Sequence, residues 1–123
     1  GVAAAIIRLG LAYSGQEGSV QLVQIERIVE AFYTLAPFKT LSEDERRDLL
    51  SEQLLIVEFA SDQGLGSLMS LIKTQADRKT AESVLRFIFQ VERKDVPKHL
   101  RDAWEEVAAQ LDAATKASSA AID

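Results

Sequence analysis

Apolar residues recur along this chain at helical spacing, without the sustained alternation a half-buried strand shows. Ala5, Ile6, Leu9, Ala12 and Tyr13 form one stripe, and Leu22, Ile25, Ile28, Val29, Phe32 and Leu35 form a second. Gly15 and Gly18 separate them, and Pro37 disfavours helix at Ala36 and marks the end of the second. Ser42-Glu43-Asp44-Glu45 reads as a capping box, in which the serine hydroxyl caps a free N–H and Glu45 reaches back. The helix that follows carries Leu49, Leu50, Leu54, Val57 and Phe59; its run Leu54-Leu55-Ile56-Val57 is apolar on all sides and is expected at the centre of the bundle. After Asp62-Gln63-Gly64-Leu65-Gly66, the positions of Leu65, Leu68, Met69 and Ile72 predict a short helix. Asp77 is the expected cap of the next helix, which holds Ala81, Val84, Leu85, Ile88, Phe89 and Val91. Phe87-Ile88-Phe89 could pass for a strand, but helical period continues on both sides. Pro97, in a position tolerated within a first turn, opens the last stripe, Leu100, Ala103, Trp104, Val107, Ala108 and Leu111. The expectation is an all-α, compact bundle of about six helices over residues 1–112, with an Ala/Ser-rich tail over 113–123, helical or frayed.

Composition removes several chemistries. The 123 residues suffice for one domain that buries about two-thirds of its unfolded surface. With no cysteine there is no disulfide framework, thiol nucleophile, iron–sulfur cluster or zinc site using sulfur, and the single histidine, His99, excludes multi-histidine sites. Six glycines and two prolines are few for an all-β chain. The net charge of −5 opposes phosphate backbones and anionic lipid. The acid excess lies after residue 41, densest in Glu43–Asp48, where it reads as a solvated first helical turn. Val2–Ile7 is much shorter than the ~20 apolar residues of a membrane span and lacks the marks of a secretory signal. The start at Gly, directly in an apolar segment, gives the expectation of an excised domain or a trimmed chain.

A shift of 76 residues carries Val20 onto Val96, Ala12-Tyr13 onto Ile88-Phe89, and Ile28, Phe32 and Leu35 onto Trp104, Ala108 and Leu111. Each half then reads as helix, tight polar loop, one buried aliphatic residue that pins the loop, and helix. Two amphipathic hairpins can also align this well through helical period alone.

At these hinges the chain resembles the tellurite-resistance TerB-like family, an all-helical domain. Its two helix–loop–helix units carry a loop of Asp-Gly, any residue, aliphatic, small or polar, two residues and Glu. In the first unit Gly18 and Val20 match, while Glu17 stands for Asp and Gln24 for Glu. In the second, Val96 and Pro97 fit, and Arg93, Lys94 and Leu100 replace Asp, Gly and Glu. The resemblance covers roughly Val2 to Leu111. It implies a stress-response module whose acidic loops bind a divalent metal. Calcium needs several converging oxygens. The carboxylates retained are Glu17, Glu92 and Asp95, the last two beside Arg93 and Lys94, so at most a weak divalent cation is expected and no other cofactor.

No nucleophile elbow, phosphate loop or calcium-loop pattern is present. His99, between Lys98 and Arg101, is expected on an exposed face, and Trp104 within the core stripe. The basic group Arg93, Lys94, Lys98 and Arg101 has no interleaved aromatics, which argues against nucleic acid. The reading is a non-enzymatic, cytoplasmic interaction or scaffold module, with a protein partner or self-association and no insertion into membrane by this segment. The alternative is a small helical ligand-binding protein or enzyme with a buried carboxylate, Glu58 or Asp62, as its acid. Glu58 motivates this by standing alone within the apolar stretch Leu54–Phe59.

Overall fold

A computed structural model describes residues 2–14, 22–35, 38–59 and 68–122. Its helices, in chain order, are α1 (Val2–Ser14), α2 (Leu22–Thr34), α3 (Glu43–Phe59), α4 (Gln75–Ile88) and α5 (Lys98–Ile122). A 3-10 turn at Phe38–Thr40 joins α2 to α3. The described residues thus contain five α-helices and no strand. Where a short helix is expected before Ile72, residues 68–69 are helical and the segment closes in tight turns, Leu71 N–H to Leu68 O and Ile72 N–H to Met69 O, each 3.1 Å. The last helix runs through the Ala/Ser-rich tail to Ile122.

The central helix is α1 rather than α3. Ala5, Ile6, Ile7, Leu9 and Leu11 are all essentially sealed from solvent. A helix that is apolar on every side has to be covered on every side, and α1 meets that need by packing against α2, α3, α4 and α5. The apolar run in α3 is peripheral: Leu55 is 57% exposed, and Leu54, Ile56 and Val57 are only partly covered. Among its described side chains, the one α3 buries fully is polar. Gln53 is 2% exposed, and its Oε1 accepts a 2.8 Å hydrogen bond from Arg8 Nε. Arg8, which interrupts the apolar start of the chain, therefore ties α1 to α3.

The start of α3 follows the capping box. Ser42 Oγ accepts from the Glu45 N–H at 3.2 Å, and the Ser42 N–H donates to Glu45 Oε1 at 3.0 Å. These bonds, the backbone one first, hold the Glu45 carboxyl below its ordinary value of 4.5. A depressed carboxyl contributes stability above its unfolded pKa that is lost as pH falls through the folded one. Ser42→Ala is expected to lower stability by about 1 kcal/mol at neutral pH. Alanine keeps the backbone N–H that is the larger cause, so only the hydroxyl's part of the deficit should narrow as pH falls below the ordinary value of 4.5 and Glu45 protonates. Urea midpoints measured across that range check both statements.

Thr74, not Asp77, caps α4: Thr74 Oγ1 accepts from the Asp77 N–H at 3.0 Å. Asp77 sits three residues on, in the first turn, where its charge suits the positive end of the helix. Pro97 stands immediately before α5, and its carbonyl accepts from the Leu100 and Arg101 N–H groups at 3.1 Å each. Its lack of an N–H costs nothing there.

Candidate functional site

The hinge between α4 and α5 holds the loop of Arg93, Lys94, Asp95 and Val96. α4 ends in a Schellman motif. The Gln90 N–H donates to Phe87 O at 3.2 Å and the Val91 N–H to Arg86 O at 3.1 Å. This geometry puts Gln90 at φ 58°, a left-handed position glycine usually takes. The Gln90 side chain is buried, and its Oε1 accepts from Arg93 at 2.9 Å, which fastens the turn from within. Val96 is buried as the pinning residue of this loop.

The loop carboxylates do not converge. Glu92 pairs with Arg86 across the end of α4. Asp95 takes both of its hydrogen bonds from Arg93, at 3.2 Å each. Each is therefore committed to a separate arginine, and among the described residues no three acidic or histidine side chains gather in a way that could hold a metal ion. Glu17, Asp62 and the Glu58 side chain lie outside the described residues. So does the first hinge with Val20. Gln24, which stands where the TerB-like pattern has Glu, is 1% exposed, and its Oε1 has no hydrogen-bond partner.

The basic group around this hinge is largely spoken for. Arg93 is held by Asp95, Lys98 by Asp102 at 2.8 Å, and Arg101 donates to Val96 O at 3.4 Å. The Lys98 ammonium is pushed above its usual value, first by the hydrogen bond to Asp102. His99 is half-buried rather than exposed, with Nε2 sealed and unpartnered. Trp104 is partly buried, edge-on to Phe89 at 6.4 Å between ring centres.

Two surface features were not legible as sites in the sequence. The first is a ridge on α2. Leu22 is 69% exposed, Val29 37% and Tyr33 52%, and their spacing of seven and four residues sets them in one row away from the core. Exposed Glu26 lies in the same row and Glu30 beside it. At the end of the row, Tyr33 Oη donates to Glu43 at 2.6 Å while Arg46 lies 4.5 Å from the ring centre. The hydrogen bond to Glu43 is the main cause that raises the Tyr33 phenol above its ordinary value. Leu22 and Val29, expected in the second apolar stripe, instead diverge on a helical projection from the buried line of Ile28 and Phe32 and fall with Tyr33.

The second feature is a cavity of about 320 Å³ between α4 and α5, beside Arg78 and Trp104. Arg78 is 6% exposed. Its Nε donates to Thr115 Oγ1 at 3.1 Å and its Nη1 to Lys73 O at 2.9 Å. Helical period alone places Arg78 on the same side as Ala81 and Leu85, which was the available clue to its burial.

Compared with family models, curated proteins and solved structures, the chain matches none.

Proposed function

We propose that this chain is a non-enzymatic helical interaction module whose α2 ridge receives a basic amphipathic helix. The observation that carries the reading is the exposed row of Leu22, Val29 and Tyr33. Apolar anchors in a row, spaced by helical turns, are what a partner helix buries. The chemistry of the partner follows from the flanks. Glu26, Glu30 and Glu43 are exposed along the row; Glu30 lies 3.1 Å from Arg27 and Glu43 3.8 Å from Arg46, so the local excess of acid is Glu26, on a chain that carries −5 overall. A second copy would bring the same acids against them, whereas lysines or arginines flanking an apolar stripe would find complementary charge. The resemblance to TerB-like domains points the same way, to a scaffold or stress-response role in the cytoplasm, and rests on the hinge residues. No helix among the described residues is long and apolar enough to cross a membrane.

The test uses two labelled synthetic helices, one of leucine and lysine and one of leucine and glutamate, titrated with the protein by fluorescence anisotropy. The basic peptide should bind with a Kd on the order of 10 μM, weaken as salt rises, and lose about tenfold or more with Val29→Glu. Equal binding of both peptides, or of neither, overturns the reading. A dimer in light scattering that Val29→Glu dissociates would show a second copy to be the occupant instead.

A further inference from the structure

Arg78 poses a problem of charge. A guanidinium stays ionised at any ordinary pH, and a buried cation is costly unless paired. Among the described residues no carboxylate lies within ion-pair distance of it. Its two hydrogen bonds go to neutral oxygens, Thr115 Oγ1 and Lys73 O. The Thr115 hydroxyl is itself fixed, donating to Leu111 O at 3.0 Å, so that its oxygen faces Arg78 as an acceptor. Held in this way at Nε and Nη1, the group has Nη2 and the second Nη1 hydrogen left for another partner. That edge can present two parallel N–H groups, the geometry that recognises a carboxylate.

We infer that the cavity between α4 and α5 binds a small monocarboxylate carrying an apolar group, with Arg78 as the anion-binding residue. The cavity of about 320 Å³ admits a molecule of that size, and Trp104 and Ala108 supply apolar wall. Its charges select the valence of the ligand. Lys79 adds one cation to Arg78, but Glu82 and Asp112 also line the cavity, and Asp112 is already engaged by Lys116 at 3.2 Å. The two acids would repel a phosphate dianion, while a monoanion seated on Arg78 gains the guanidinium with less opposition. This site is separate from the α2 ridge, and its success or failure leaves the interaction reading unaffected.

Trp104, the only tryptophan, reports from the cavity wall. The full chain is titrated with benzoate, with benzamide as the neutral analogue and with inorganic phosphate, following Trp104 emission and the Thr115 and Trp104 N–H resonances. Benzoate should saturate with a Kd on the order of 1 mM, with benzamide and phosphate each at least about tenfold weaker. Arg78→Lys, which keeps the charge and loses the planar fork, should weaken benzoate by about tenfold. Because a change at Arg78 can also unfold the chain, Ala108→Leu is the second variant: it fills the cavity and leaves Arg78 in place. Circular dichroism first establishes that each variant is folded, and loss of benzoate binding in folded Ala108→Leu supports the site. Absence of saturable benzoate binding, equal binding of benzamide, tighter binding of phosphate, or full binding by Ala108→Leu overturns it.

Discussion

Replacing Phe38 by alanine is expected to lower the unfolding free energy by about 3–5 kcal/mol. Phe38 opens the 3-10 turn between α2 and α3 and is fully buried. Its ring lies 5.3 Å from that of Phe32, tilted, with Phe32 itself in the core face of α2. Truncation would leave a ring-sized void against a second aromatic, and the surrounding helices are too constrained to close it. The backbone of the turn does not depend on the ring. The Phe38 and Lys39 N–H groups donate to Leu35 O at 3.1 Å each, and Arg46 donates to Phe38 O at 3.4 Å and to Lys39 O at 2.9 Å. The loss should therefore be a packing loss, largely restored by Phe38→Leu, which refills part of the void. Urea unfolding followed by circular dichroism measures both variants. A deficit under about 1 kcal/mol for the alanine variant would mean the turn can collapse onto Phe32.

Sequence signals carry through to the structure where the chemistry is local. Ser42 and Glu45 sit at the spacing of a reciprocal cap, and both bonds form. Pro97 lies at the boundary of α5, and the stripe Leu100, Ala103, Val107 and Leu111 faces the core. Val96 is buried in its loop as expected. What the sequence misplaced depends on tertiary choice. Two segments, Val2–Ile7 and Leu54–Val57, are apolar on more than one face, and period cannot say which of them the other helices surround. The structure surrounds the first and leaves Leu55 on the surface. Thr74 and Asp77 are both good capping residues three apart, and the helix starts at the earlier one. The burial of Arg78 needed Thr115, 37 positions away in the chain, to be known as its partner. Gln90 takes the left-handed position without being glycine, which no turn signal announces. Glu92 and Asp95 are each taken up by an arginine, Arg86 and Arg93, and only the second of these stands beside them in the loop sequence.

Gly10 is a position where a large side chain should do harm although local helix propensity would improve. It is a glycine inside α1, where glycine costs about 1 kcal/mol relative to alanine. The physical reason for keeping it is the closeness of α4. A methyl group at Gly10 would stand 3.1 Å from Ile88 Cδ1, 3.5 Å from Ile88 Cγ2 and 3.7 Å from Leu85 Cδ2. The tightest of these is the free end of a flexible side chain, which can give way by a few tenths of an ångström. Gly10→Ala should therefore stay within about 1 kcal/mol of the wild type, the gain in helix propensity offsetting the crowding. Gly10→Leu has no such escape. Ile88 and Leu85 are fully buried, and the added carbons must displace them or push α1 from α4. A loss of about 3 kcal/mol is expected. Since α1 is packed by α2, α3 and α5 as well, a shift of this helix disturbs the whole core. The double variant Gly10→Leu with Ile88→Ala separates crowding from a local effect on α1. If the clash with α4 is the cause, removing the Ile88 side chain makes room, and the pair should be more stable than the sum of the two single losses predicts. If the two losses simply add in urea unfolding, the damage lies within α1 itself, and the close approach to α4 is not what holds Gly10 in place.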